Sequence, residues 1–319
     1  MTPDIDSLRI AVLVPCYNEE ITVAEVVRGF RAALPRAAIY VFDNNSTDAT
    51  RARALEAGAL VRHVAMPGKG NVVRRMFADI DADVYLMADG DATYHAPSAR
   101  KLVEKLLTEH LDMVVGTREH EAAEAYRPGH QLGNKLLTGT MTRIFGGRFT
   151  DMLSGYRAFS RRYVKSFPAM SHGFETETEF TIHALELRMP YGEVTTPYGA
   201  RPEGSTSKLR TYSDGIRILK TIVKLFAVER PLHFYSLIAL LLALSGVGLV
   251  IPLILTYLQT GLVPRLPTAI LATGLCLTSA ISFTSGLILE TVTIGRREVK
   301  QLSYLAVGDR LGQTATPRC

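Results

Sequence analysis

From Phe234 to Pro264 the chain carries no charged side chain, and after Arg265 a second uncharged run extends from Leu266 to Leu289. A helix needs about 20 predominantly apolar residues to cross a bilayer. Both runs are long enough, so the pattern predicts two spanning helices near 234–258 and 267–290. The alternative is a pair of core helices in a water-soluble domain. The connection from Gln259 to Pro267 is short and contains Gly261, Pro264 and Pro267, which makes the two helices a hairpin. Lys220, Lys224 and Arg230 precede the hairpin and Arg296, Arg297 and Lys300 follow it, whereas its loop holds only Arg265. Positive charge collects on the cytoplasmic side of spanning helices. Both termini and the polar remainder of the chain are therefore expected in the cytoplasm, on a multi-pass protein of the inner (cell) membrane. The expected organisation is an α/β domain over 1–207, a juxtamembrane segment over 208–230, the hairpin over 231–295 and a cytoplasmic tail over 296–319.

The first 120 residues read differently. Apolar runs at Ile10–Val14, Ala38–Phe42, Leu60–Val64, Val84–Met87 and Met113–Val115 alternate with helical patterns. Short apolar strands alternating with helices imply a mostly parallel sheet, Rossmann-like, with helices on both faces. Ligands of such sheets bind outside the carboxyl ends of the strands. The polar clusters Tyr17-Asn18-Glu19, Asp43, Asp89/Asp91 and Gly116-Thr117-Arg118 all follow strand ends. No G-x-G-x-x-G opens the first helix, and there is no Walker A motif, so a dinucleotide-binding domain of the usual kind is excluded.

The most telling cluster is Asp89-Gly90-Asp91, directly after Val84–Met87. On an extended end, side chains i and i+2 point the same way. Gly90 would let the backbone turn with no side chain in the way. Two hard oxygen ligands there suit Mg²⁺ or Mn²⁺, completed by substrate phosphates. A solvated turn has the same local sequence. The three cysteines, Cys16, Cys276 and Cys319, lie far apart and imply neither a disulfide framework nor a zinc site. With 36 basic against 31 acidic residues, the net charge of +5 gives no argument for nucleic acid. Met1–Arg9 has acidic residues and no apolar core, so no signal peptide is visible.

Taken together and in order, Val14-Pro15-Cys16-Tyr17-Asn18-Glu19-Glu20, Asp43-Asn44-Asn45-Ser46-Thr47-Asp48, Gly68-Lys69-Gly70 and Asp89-Gly90-Asp91 resemble the motifs of family 2 glycosyltransferases with the GT-A fold. Gly116-Thr117-Arg118, Asp151 to Arg157 and Arg201 to Lys208 resemble the polyprenyl-phosphate branch, which includes dolichyl-phosphate mannose synthases and bacterial undecaprenyl-phosphate glucosyltransferases. The resemblance covers roughly residues 8–230. It implies that Pro15, Tyr17, Glu19 and Asp43 line the nucleoside pocket. Lys69 would lie near the diphosphate, and Asp89, Gly90 and Asp91 would meet ribose, metal and diphosphate. The family carries a second Asp where this chain has Asn44, which bears on base choice. The chain-elongating members carry Q-x-x-R-W, and this chain has no Trp, so a polysaccharide polymerase is not expected.

The implied reaction is inverting transfer of one sugar to a polyprenyl (undecaprenyl) phosphate, for cell-envelope glycans or lipid modification. The donor preferred is a UDP-hexose or UDP-N-acetylhexosamine; GDP-mannose is the alternative. Transfer to another membrane glycolipid, or a non-catalytic nucleotide-sugar scaffold, are further readings. A phosphate acceptor is already largely dianionic at neutral pH. The harder task is to hold two anions together, for which Arg is suited. Arg118, Arg157, Arg201, Ser207 and Lys208 are the candidates for the acceptor phosphate, with Arg118 and Arg201 also placed at the chemistry beside Asp91. Arg157 could instead be a structural partner of Asp151. Asp151 is read as a metal or positioning carboxylate, with general base as a lesser role. Glu179 matches a family carboxylate, Glu175 and Glu177 are expected to face solvent, and His183 is read as a satisfied core or surface histidine rather than a ligand. Tyr212 to Val228 has the pattern of a basic amphipathic helix, able to lie among lipid headgroups and to bring the active-site mouth to the bilayer. Gly274, Thr278, Ser282 and Gly286 form a small-residue stripe for packing inside the hairpin or between protomers.

Overall fold

The computed structural model describes residues 5–120, 149–170, 176–199 and 226–308, with the single positions 139, 146, 220, 223 and 224. Two compact units divide the chain: Met1–Ile216 with Val299–Cys319, and Arg217–Glu298.

The first unit is built on a seven-stranded sheet. Its strands are β1 (Ile10–Cys16), β2 (Ala38–Asp43), β3 (Leu60–His63), β4 (Val84–Met87), β5 (Met113–His120), β6 (Arg157–Ser160) and β7 (Tyr191–Tyr198). They lie in the order β3-β2-β1-β4-β6-β5-β7. Only β6 is antiparallel to its neighbours β4 and β5. The sequence reading omits β6 and β7. β6 is a four-residue strand that begins with an arginine, which hides it. β7 carries Val194-Thr195-Thr196, a β-branched signal, and its Pro197 is tolerated because β7 is an edge strand.

Helices α1 (Val23–Ala33), α2 (Thr50–Glu56), α3 (Lys69–Asp79), α4 (Ala99–Thr108), α5 (Arg161–Ser166) and α6 (Thr176–Glu186) complete the unit. β4 shows why both faces are covered. Val84 and Leu86 join the core with Val26, Val27, Phe30, Leu102 and Leu106 of α1 and α4. Tyr85 and Met87 point the other way. There Phe77 of α3 meets Tyr85, Phe159, Phe167 and Phe180 edge-on or tilted, with ring centroids 5.7 to 6.3 Å apart. Each such aromatic pair adds about 0.5–1.5 kcal/mol beyond its buried area.

Two further helices follow, α7 (Pro231–Thr260) and α8 (Leu266–Ala306). Both are long and apolar enough to cross a membrane. Leu240, Leu241, Leu244, Ile251, Leu255, Ile270, Ile281 and Ile288 are exposed along them, unlike the side chains of core helices in a soluble domain. α8 runs sixteen residues past Glu290, because Arg296, Arg297, Glu298 and Lys300 favour helix, no proline interrupts, and the single Gly295 is tolerated. Its last turns belong to the first unit, where Lys300 pairs with Glu186 at 2.8 Å and the Tyr304 hydroxyl donates to Asp112 at 2.8 Å.

Within the hairpin, Ser279 Oγ donates to the Ala239 carbonyl and Ser282 Oγ to that of Tyr235. A Cβ on Gly286 would lie 3.0 Å from Tyr235 Cβ, whereas nothing lies within 4 Å of one on Gly274. The expected stripe therefore divides. A step of four residues drifts about 40° around a helix of 3.6 residues per turn. Ser282 and Gly286 face α7, and Gly274 and Thr278 do not.

Candidate active site

The loop after β4 holds the centre of the site. β4 stops at Met87, so Asp89 and Asp91 stand on irregular backbone rather than on an extended end. Their carboxylates have different surroundings. Asp91 is buried and accepts from the Thr93 hydroxyl at 2.6 Å and from the Thr93 N–H at 3.2 Å. Asp89 accepts from Lys69 Nζ at 2.6 Å.

Gly90 is needed for close approach, not for turning. A Cβ there would lie 2.5 Å from Cys16 Sγ and 3.5 Å from the Pro15 carbonyl oxygen. The left-handed residue of this loop is Ala92, at φ 57°. Thr22 Oγ1 donates to the Gly90 carbonyl at 2.6 Å and fastens the loop to the start of α1. Pro15 is the last-but-one residue of β1, not the residue that ends it. Its missing N–H costs nothing, because β4 pairs with β1 only as far as Leu13.

Lys69 opens α3 behind Gly68, whose φ is 115°. Its ammonium lies between Asp89 at 2.6 Å and Glu177 of α6 at 2.5 Å. Burial opposes the charge on Lys69, but the two carboxylates outweigh it and hold the pKa above that of a free lysine. Glu177 is 5% exposed, which corrects the expectation that it faces solvent. The i,i+3 pattern of α6 did not reveal this, because both faces of α6 are buried. Glu175 lies outside the described residues. Glu179 is half-buried and accepts from the Met170 N–H at 2.8 Å.

The main chain before β6 closes the other side. A Cβ on Gly155 would lie 2.8 Å from Asp89 Oδ2 and 3.3 Å from Lys69 Nζ. The Gly155 N–H donates to the Tyr94 hydroxyl at 2.8 Å. Tyr94 was not singled out from the sequence. It packs against Tyr156 and Tyr198, and burial, with the charge of Asp89, pushes its phenol pKa up.

Arg118, near the end of β5, donates from Nε and Nη2 to both oxygens of Asp151, at 2.7 and 2.8 Å. Its guanidinium also lies over the Tyr198 ring, 5.5 Å from the centroid. The partner of Asp151 is thus Arg118 rather than Arg157. Arg157 is fully buried, with Nε donating to the Ser154 carbonyl, Nη2 to that of Met152 and Nη1 to Thr181 Oγ1. Its role is to tie β6 to the preceding loop and to α6, so the expectation that it meets an acceptor phosphate is withdrawn: a buried guanidinium with filled donors cannot reach a lipid headgroup. Arg201, Ser207 and Lys208, and the amphipathic segment up to Ile222 apart from Lys220, lie outside the described residues.

At the end of the sheet expected to take the nucleoside, Tyr17 is exposed at the tip of β1. Asp43 is buried, accepts from the Ser46 N–H at 3.2 Å and lies 3.5 Å from His63 Nδ1. The Glu19 N–H donates to Thr50 Oγ1 at 2.8 Å, and Asn18 Oδ1 accepts from the Thr47 N–H at 2.8 Å. Much of the polar sequence after β1 and β2 therefore braces two loops against each other. Asn44 does the same for the next loop. Its Nδ2 donates to the carbonyls of Val64 and Met66, and its Oδ1 accepts from the Gly68 N–H.

Among the described residues, no group of three or more His, Cys, Asp or Glu side chains is arranged to hold a metal ion. Two aspartates at one loop fit a hard divalent cation shared with a diphosphate, not one caged by protein alone.

The model of the family described as "Glycosyl transferase family 2" matches residues 11–167, the stretch that supplies every strand of the site but β7. An uncharacterized protein of Shigella flexneri is 61% identical over 155 residues, 49% of this chain and 95% of that protein. A glycosyltransferase of Haloferax volcanii, AglJ, is 35% identical over 254 residues, covering 78% of this chain and 80% of its own. A dodecaprenyl-phosphate galacturonate synthase of Rhizobium johnstonii is 27% identical, covering 80% and 77%. The glucosyl-3-phosphoglycerate synthase of Mycobacterium tuberculosis, solved with Mn²⁺, uridine diphosphate and phosphoglyceric acid, superposes with a TM-score of 0.56 at 23% identity, covering 69% of this chain and 78% of that one. That structural likeness establishes the GT-A-type fold, and the relatives establish the rest: the chain belongs to glycosyltransferase family 2 and is a glycosyltransferase.

Proposed function

We propose that the chain transfers a single sugar from a nucleotide-sugar, a UDP-hexose or UDP-N-acetylhexosamine, to a polyprenyl phosphate such as undecaprenyl phosphate, with inversion at the sugar C1. The observation that carries this reading is a polar cluster of Lys69, Asp89 and Asp91 at the end of β4, in a chain that also has two membrane-length apolar helices. The uridine diphosphate and Mn²⁺ bound by the mycobacterial structure support the donor class and a divalent ion, Mg²⁺ or Mn²⁺. The name of the Rhizobium relative supports a polyprenyl-phosphate acceptor.

The acceptor phosphate oxygen attacks C1, the bond from C1 to the diphosphate oxygen breaks, and nucleoside diphosphate leaves with the electron pair. The acceptor needs no general base, since a phosphate monoester has lost most of its second proton at neutral pH. Asp89 and Asp91 would hold the divalent ion, which supplies positive charge to the departing diphosphate. Lys69 would donate to the same diphosphate. Arg118, its planar fork held by Asp151, would receive the acceptor phosphate, with Arg201, Ser207 and Lys208 alongside. Asp151 acts through Arg118, by orienting its planar fork. Tyr17 would offer its ring to the base, with Pro15, Glu19 and Asp43 around the nucleoside. The catalytic unit and both termini would lie in the cytoplasm.

The test is to incubate the detergent-purified chain with labelled UDP-sugars, GDP-mannose as the alternative donor, undecaprenyl phosphate and Mg²⁺ or Mn²⁺. Label extracted into butanol is expected from a UDP-sugar and lost in Asp91→Ala. Undiminished transfer by that variant would refute the metal role, and labelling only of a glycolipid hydroxyl would replace the acceptor.

A further inference from the structure

Among the described residues, Glu177 is the one buried carboxylate near the site that the reaction above leaves without a task. It comes from α6, Lys69 from α3 and Asp89 from the loop after β4, and the three side chains meet through one ammonium. We propose that Glu177 is a positioning residue that shares Lys69 with Asp89, and that this sharing sets how readily Asp89 turns to a divalent cation.

The argument is one of charge in a confined space. Lys69 has one charge and two carboxylate partners, at 2.6 and 2.5 Å. The Gly155 main chain passes close beside both groups: a Cβ there would lie 2.8 Å from Asp89 Oδ2 and 3.3 Å from Lys69 Nζ. When Asp89 takes up a cation, its bond to Lys69 must weaken, because two cations then compete for one carboxylate. With Glu177 present, the ammonium keeps a buried partner at hydrogen-bond distance. Without that partner the ammonium would keep only the diphosphate, which the divalent ion also claims, and a buried charge short of a partner is strongly unfavourable. Removing only the charge of Glu177 would therefore commit Lys69 to Asp89 and make metal uptake harder, with the residues that touch the substrate unchanged.

This inference rests on the donor and metal reading above, and the experiment separates the two. Full-length protein in detergent is titrated with Mn²⁺ at fixed uridine diphosphate, with guanosine diphosphate in parallel, and bound Mn²⁺ is followed by electron paramagnetic resonance. Glu177→Gln is expected to raise the half-saturating Mn²⁺ concentration by about tenfold or more, the effect of removing one partner of a buried charge. Glu177→Asp, which keeps the charge on a shorter arm, should fall between the two. In transfer assays, saturating Mn²⁺ should restore most of the Glu177→Gln turnover. If wild-type protein binds neither nucleotide with Mn²⁺, the donor and metal reading fails. If wild-type binds and Glu177→Gln gives the same Mn²⁺ curve, with only its melting temperature lowered, Glu177 is structural and this inference alone is overturned. Should Glu177→Gln not fold, Glu177→Asp decides by the same curve.

Discussion

Gly90 and Cys16 occupy one small volume between them. A methyl group at Gly90 would sit 2.5 Å from the Cys16 sulfur, and overpacking of this kind costs about 1–3 kcal/mol. Gly90→Ala should lower stability by that amount in denaturant unfolding, and adding Cys16→Ala should recover part of it. Cys16 is suited to such a swap, since burial pushes its thiol pKa up and it packs rather than reacts. His183 gives a second residue-scale prediction. It lies against Tyr163 and Phe167, shares a 3.0 Å hydrogen bond with Ser166 Oγ and leaves Nδ1 unpartnered. Burial, then the charge of Lys300, lowers its pKa to about 3, with Glu186 opposing. Between that value and the ordinary histidine pKa the unfolded chain binds more protons than the folded one, so stability falls as pH falls. Each unit of pH below 6.5 should cost about 1.4 kcal/mol through this group. His183→Gln should flatten unfolding free energy against pH between 6.5 and 5. The sequence left His183 as a satisfied core or surface histidine; the fold places it in the core and leaves Nδ1 without a partner.

Loops at the ends of elements in this chain are braced by side-chain hydrogen bonds. The loop that delivers Lys69 hangs from Asn44, which donates two hydrogen bonds and accepts a third. The sequence marks Asn44 as a departure bearing on base choice. The structure gives it instead to the loop between β3 and α3. An aspartate there could not donate and would face two carbonyls. Asn44→Asp should therefore cost about 2 kcal/mol or more in unfolding free energy, and should loosen the 64–68 loop in hydrogen exchange. The same logic separates Arg118 from Arg157. Both arginines follow the same kind of motif, and nothing local in the sequence tells which one the fold buries. Arg157 begins a strand whose two neighbours cover it, while Arg118 lies near a strand end with Asp151 as its partner.

At the scale of the whole molecule, the charge-free runs make a further prediction. A cysteine placed at Leu262, in the turn between α7 and α8, should react with a membrane-impermeant maleimide added outside intact cells, whereas one at Lys300 should react only after lysis. Reaction at Lys300 from outside would reverse the proposed orientation. The runs themselves were legible because length without charge, all that a membrane-length apolar helix requires, is a pattern that a sequence satisfies locally. The alternating strands were legible for a similar reason: burial on both faces demands continuous apolar runs. The strand-tip carboxylates followed, since each lies next to its own strand in the chain. What only the tertiary structure decided are the meetings between distant segments: Glu177 with Lys69, Gly155 with Asp89, Asn44 with Gly68, and the insertion of β6 between β4 and β5. No local pattern encodes them, because a buried charge or amide is stable only with a partner whose distance in space is unrelated to its distance in sequence.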